Sequence, residues 1–206
     1  MSILVIAEHD NNELKVATLN TVAAANEIGG DIEILIAGSE CEGVANQAAQ
    51  ISGIQKILLA DKPAYANFLP ENIGSLITEI GANYTHILSP ATANGKNFLP
   101  RVAASLDVAQ VSDISAVINE DTFERPIYAG NCIATVQSTD TIKVITVRTT
   151  GFDACPADGG STSIENIDID KDLDISSFVK ENIEISDIPE LTAADIVISV
   201  GRGLQN

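Results

Sequence analysis

Near its end the chain strings together residue types suited to holding a phosphate. Asp195-Ile196-Val197-Ile198-Ser199-Val200 reads as a buried strand, and Gly201-Arg202-Gly203 follows as a tight turn. Glycines leave backbone N–H groups open to close approach, and a guanidinium is a permanent, forked donor, so together they suit an anionic oxygen. Gly201, Arg202 and Gly203 are therefore candidate contacts to a phosphate-bearing ligand. The full dinucleotide pattern is incomplete, because Asn206 stands where the third glycine belongs. The helix that such a turn normally feeds would lie beyond Asn206. The expectation is that the chain opens a nucleotide-binding unit and is part of a longer protein.

A second candidate is Ser89-Pro90-Ala91-Thr92-Ala93-Asn94-Gly95-Lys96-Asn97. It is not a P-loop, which needs glycine at Pro90 and Ser or Thr at Asn97. Two readings stand: small residues and helix N–H groups that approach a nucleotide or partner, or an ordinary loop with Asn94 or Asn97 near a helix start. Arg101 is expected to pair with a carboxylate, in a helix that Pro100 enters rigidly. Arg125 and Arg148 are each expected to fix a loop. His9 and His86 belong to no ligand cluster. Cys41, Cys132 and Cys155 lie far apart, with no metal spacing, which fits a reducing compartment. Asp168, Asp170, Asp172 and Asp174 read as a solvated run. No nucleophile stands with a base, so side-chain catalysis has little support.

The elements that position these residues begin as alternating strands and helices. Ile3-Leu4-Val5-Ile6-Ala7 is a continuous apolar run, as expected of a strand covered on both faces. Helices are predicted over 13–28, 41–51, 70–80 and 97–106, and strands over 32–37, 56–60 and 84–89. Four such units imply an α/β fold with a mainly parallel, doubly wound sheet. Ligands in that architecture bind at the carboxyl ends of the strands, which points to the loops after Ala7, Ala37, Ala60 and Ser89. An antiparallel strand extension is predicted over 112–118, 122–128, 131–137 and 141–148, with Ser138-Thr139-Asp140 as a hairpin turn. Residues 149–165 read as an irregular loop. A domain boundary is expected near Pro189, giving units 1–188 and 189–206.

Composition bounds the partners. The 206 residues are 45% hydrophobic and carry a formal net charge of −18. Such a surface opposes general affinity for nucleic acid or anionic membrane. The apolar runs are far shorter than the ~20 residues of a membrane span, and no targeting leader is visible at the N-terminus.

Several segments match one family in order along the whole length. They are Leu4-Val5-Ile6-Ala7-Glu8-His9; Gly95-Lys96-Asn97-Phe98-Leu99-Pro100-Arg101-Val102-Ala103-Ala104; Val111-Ser112-Asp113-Ile114; Ile127-Tyr128-Ala129-Gly130-Asn131; Val147-Arg148 with Phe152-Asp153-Ala154; and Pro189-Glu190-Leu191-Thr192 leading into Gly201-Arg202-Gly203-Leu204. On these the chain resembles the alpha subunits of electron transfer flavoproteins. The resemblance implies an electron carrier, not an enzyme, in which alpha and beta subunits form a heterodimer holding FAD. It implies electrons taken from acyl-CoA and other dehydrogenases and passed to a membrane quinone oxidoreductase. The expected location is bacterial cytoplasm or, for a processed chain, the mitochondrial matrix. Residues 1–188 would be the domain that packs on the beta subunit, and 189–206 the truncated start of the FAD-binding domain. Arg202 matches the family's FAD-contacting arginine. The family's other flavin contacts have no counterpart in this chain, which alone is not expected to retain FAD. A reading from a different class is a stand-alone nucleotide-binding or hydrolysing domain, built on the Gly95-Lys96 loop.

Overall fold

The computed structural model describes residues 1–182, 191, 194 and 196–204. Its elements are β1 (Ser2–Ile6), α1 (Val16–Ile28), β2 (Asp31–Gly38), α2 (Glu42–Ala48), β3 (Ile54–Asp61), α3 (Pro70–Gly81), β4 (His86–Pro90) and α4 (Ala93–Ser105). Then come β5 (Gln110–Ile114), β6 (Ala116–Val117), β7 (Thr122–Ile127), β8 (Cys132–Gln137), β9 (Lys143–Val147) and β10 (Ile164–Asn166). The expected α/β class holds. Seven strands form one sheet in the order β10-β3-β2-β1-β4-β9-β5, with every neighbouring pair parallel. β6, β7 and β8 form a small antiparallel sheet.

Strand alternation divides the core into two layers. Ile3 and Val5 of β1 pack with Val22 of α1 and Val44 of α2 on one face. Leu4 and Ile6 pack with Leu76 of α3 and Leu99 of α4 on the other. A strand buried on both faces needs apolar side chains at successive positions, which is why β1 reads as an unbroken run. Phe123 of β7 is fully buried in the first layer and anchors the small sheet there.

Three expectations are corrected. The segment 141–148 and the first half of 112–118 do not join the antiparallel extension, whereas Ala116–Val117 does, as β6. β9 and β5 instead enter the parallel sheet beside β4. Val144, Ile145, Thr146 and Val147 are fully buried in succession, a pattern that demands cover on both faces and cannot serve a one-sided hairpin. Consequently Ser138-Thr139-Asp140 links two sheets. The true hairpin joins β7 to β8 through Tyr128, Ala129 and Gly130, whose φ angles are 51°, 52° and 86°. Second, α4 begins four residues before the predicted Asn97, so Pro100 lies inside the helix, not at its entry. Third, 196–200 forms no strand and Ile196, Ile198 and Val200 are exposed. A strand needs neighbours for its backbone and a facing layer for its side chains, and no described element supplies either. Asp195, Gln205, Asn206 and the predicted boundary near Pro189 lie outside the described residues.

Candidate functional site

The strand order reverses between β1 and β4, and this architecture places its ligands outside the carboxyl ends of such a pair. A hollow sits there, lined by Glu8, His9, Phe68, Ser89, Asn94 and Gly95 among others. Its volume is about 20 Å³, the room of one water molecule and far too little for a nucleotide. Gly95 explains the closure. A Cβ there would stand 2.0 Å from the Pro90 carbonyl oxygen and 2.7 Å from Ser89 Oγ. The glycine lets the start of α4 press on the end of β4, so packing accounts for it without a phosphate. Thr92, not Asn94 or Asn97, caps the helix, its Oγ1 accepting from the Gly95 N–H at 3.4 Å. Lys96 and Asn97 are exposed. The loop singled out in the sequence borders the switch-point hollow, but its geometry opposes a nucleotide site.

Both histidines are buried in the fold. His9 is 4% exposed, accepts from the Asn11 N–H at Nδ1 (3.1 Å) and meets the Phe68 ring edge-on at 5.0 Å. Burial pushes its pKa down to about 4, so the ring is neutral at ordinary pH. Burial pushes the neighbouring Glu8 carboxyl up, while a hydrogen bond from Thr92 and the charge of Lys15 pull it back. His86 lies at the opposite end of the sheet. Its ring nitrogens meet Thr85 Oγ1 at 2.9 Å and the Glu120 carbonyl at 2.7 Å, and burial lowers its pKa. Among the described residues, no group of three His, Cys, Asp or Glu is placed to hold a metal.

The remaining candidates disperse. Arg101 pairs with Glu71 at 3.0 Å, as a helix-bound ion pair should. Arg148 pairs with Asp113, whose φ of 61° marks a strained turn where the β5–β9 register shifts. Arg125 lies within β7 opposite Ala134, and so holds a strand position instead of fixing a loop. All three cysteines are free thiols. Cys41 is buried, which with the charge of Asp61 pushes its pKa to about 11 and leaves it inert.

The sequence reading missed the small sheet as a surface. β8 is an edge strand, and its sequence Cys-Ile-Ala-Thr-Val-Gln has no charge, proline or glycine to discourage pairing. Ile127, Tyr128 and Ile133 lie exposed along the same hairpin. The signal was available in the uncharged β-prone hexamer, but it was assigned to the wrong hairpin.

At the other candidate site, Arg202–Leu204 forms a single 3-10 turn. Gly201, Arg202 and Gly203 are exposed, and a Cβ added to either glycine would meet nothing within 4 Å. The backbone at both glycines is open to close approach. No described wall surrounds the turn to enclose a flavin.

Comparison with known proteins agrees along the whole chain. The family model of the electron transfer flavoprotein domain matches residues 3–172. The electron transfer flavoprotein subunit alpha of Pseudomonas aeruginosa is 61% identical over 206 residues, covering 100% of this chain and 67% of that protein. The mitochondrial electron transfer flavoprotein subunit alpha of Dictyostelium discoideum is 46% identical over 219 residues, covering 98% of this chain and 62% of its own. The subunit alpha of Paracoccus denitrificans is 44% identical over 205 residues, covering 99% and 66%. The chain thus spans about two thirds of the length of these relatives. An α/β domain with a closed switch-point crevice, matched from end to end by such subunits, belongs to the electron transfer flavoprotein family, among its alpha subunits.

Proposed function

We propose that this chain is the scaffold and partner-facing part of a heterodimeric electron carrier that uses FAD. The carrier takes electrons from acyl-CoA and other dehydrogenases and passes them to a membrane quinone oxidoreductase. The observation that carries the reading is the 61% identity to a subunit of that name over all of this chain. Residues 1–188 form the domain that packs on the beta subunit, and the uncharged edge of β8 is the part of its surface best suited to that contact. Residues 189–206 open the FAD-binding unit.

The redox chemistry is that of FAD when bound. This chain's part in holding it is limited to Gly201, Arg202 and Gly203. Arg202 would offer a forked cation to a pyrophosphate, with open backbone on either side. The relatives include bacterial and mitochondrial proteins, in keeping with a cytoplasmic or matrix location, and among the described residues no helix is long and apolar enough to cross a membrane.

The test is to express the complete gene with that of its beta subunit. A one-to-one complex with a stoichiometric flavin absorbance, bleached by a reduced acyl-CoA dehydrogenase, is expected. A pure complex lacking flavin would sink the proposal.

A further inference from the structure

Beyond β10 the chain does not leave the domain. It runs back over α3, held mainly through its own backbone. The Ile167 N–H continues the β10–β3 ladder to the Leu59 carbonyl at 2.9 Å. Tyr65, fully buried in the 3-10 turn Pro63–Tyr65, then reads two backbone groups at once. Its hydroxyl donates to the Ile169 carbonyl at 3.0 Å and accepts from the Lys171 N–H at 3.1 Å. Asn72 is buried on α3. Its amide nitrogen donates to the Ala64 carbonyl at 3.1 Å, which leaves Oδ1 to accept from the Leu173 N–H at 3.1 Å.

Side chains add a weaker layer. Ile167 and Ile169 pack against the second core layer. Lys62 pairs with Asp168, and Lys171 with Glu79. These pairs are largely exposed and are worth little alone. After Leu173 the chain turns at Asp174, with φ 51°, and Ser176 Oγ donates to Glu71 at 3.0 Å. Residues 177–182 are all exposed.

We propose that residues 167–176 form a clasp, read through its backbone by Tyr65 and Asn72, which fixes the point at which the chain departs from the domain. Buried polar side chains are costly unless satisfied, and here two of them spend their hydrogen-bonding capacity on an extended surface segment. An incidental surface segment needs no such partners. Recognition of backbone also predicts tolerance: the exposed Asp170 side chain is replaceable, whereas the Lys171 and Leu173 N–H groups are not. The clasp rests on the reading that 189–206 open a second unit only in what it positions; its geometry belongs to this chain alone.

Amide hydrogen exchange on the 206-residue chain tests it without reference to flavin, so it and the proposed function can fail separately. The Lys171 and Leu173 amides are expected to be protected. Tyr65→Phe should speed exchange at Lys171, and Asn72→Ala at Leu173, each by at least about tenfold, while β1 and β2 amides keep their protection. Asp170→Ala should change neither. Where Tyr65→Phe loosens the whole domain, Lys171→Pro decides: it removes the N–H from the strap itself, and Leu173 should then exchange at least about tenfold faster. Unprotected Lys171 and Leu173 amides in the parent chain, or Leu173 protection that survives Lys171→Pro, would overturn the clasp.

Discussion

His9 shows how a residue suited to chemistry becomes part of the core. Buried against Phe68, it stays neutral down to about pH 4, whereas the unfolded chain takes up its proton near 6.5. Between these values the unfolded state binds the extra proton, so this group makes stability rise with pH and fall on acidification. Across the whole interval the effect approaches about 3 kcal/mol. Glu8 acts in the opposite sense: its pKa is raised in the fold, so its contribution weakens as pH rises above 4.5. His9→Gln separates the two. The variant should be less stable at neutral pH, having lost the ring contact, yet should lose about 3 kcal/mol less than the parent between 6.5 and about 4 by urea unfolding. Parallel pH profiles for the two proteins would refute this assignment. Gly95 makes the companion case. Gly95→Ala places a methyl 2.0 Å from the Pro90 carbonyl oxygen, and overpacking of this kind costs about 1–3 kcal/mol. A melting temperature equal to the parent's would show that α4 can slide away from β4. From sequence, the Gly95-Lys96 loop looked like a functional candidate because residue types are visible there, whereas His9 belonged to no ligand cluster. The 20 Å³ hollow and the Pro90 contact that decide against the loop are long-range geometry, which no local pattern encodes.

At the scale of elements, local pattern and tertiary demand part company between Gln110 and Val147. The first four strand–helix units were legible because each strand is a short apolar run flanked by helix and glycine signals. β5, β7, β8 and β9 are all short and β-prone, and nothing local states which sheet each one joins. Burial does: β9 is covered on both sides, whereas β8 has Ile133 exposed. This gives a test of the β8 edge. Thr135→Pro removes an N–H from the strand, and Ile133→Lys charges the hairpin. With Phe123 still anchoring the small sheet, both variants should fold. Each is expected to weaken beta-subunit binding by at least tenfold, the equivalent of about 1.4 kcal/mol, by calorimetric titration. Unchanged affinity in both would move the interface elsewhere on the domain.

For the whole molecule, the acidic surface and the terminal turn describe a division of labour. The chain carries a formal net charge of −18, and the core is filled without leaving room for a nucleotide at the switch point. Under the proposed function cofactor holding falls to the turn at Arg202, which is exposed and has no enclosing wall among the described residues. The family resemblance implies an FAD contact for Arg202, whereas the strand expected before it does not form among the described residues 196–200. Ile196, Ile198 and Val200 have strand-like chemistry and no described neighbour to pair with. Two outcomes follow for flavin. The 206-residue chain purified alone should be colourless, because one guanidinium and two glycines can contact a pyrophosphate but cannot cover an isoalloxazine ring. In the complete heterodimer, Arg202→Ala should weaken FAD retention by roughly ten- to hundredfold, the range for loss of a charge-assisted hydrogen bond, and Arg202→Lys should restore only part of it because an ammonium lacks the fork. Flavin release during equilibrium dialysis reads both variants. A yellow 206-residue chain would show that this domain holds the cofactor by residues other than the turn, and full retention by Arg202→Ala would remove the arginine from the site.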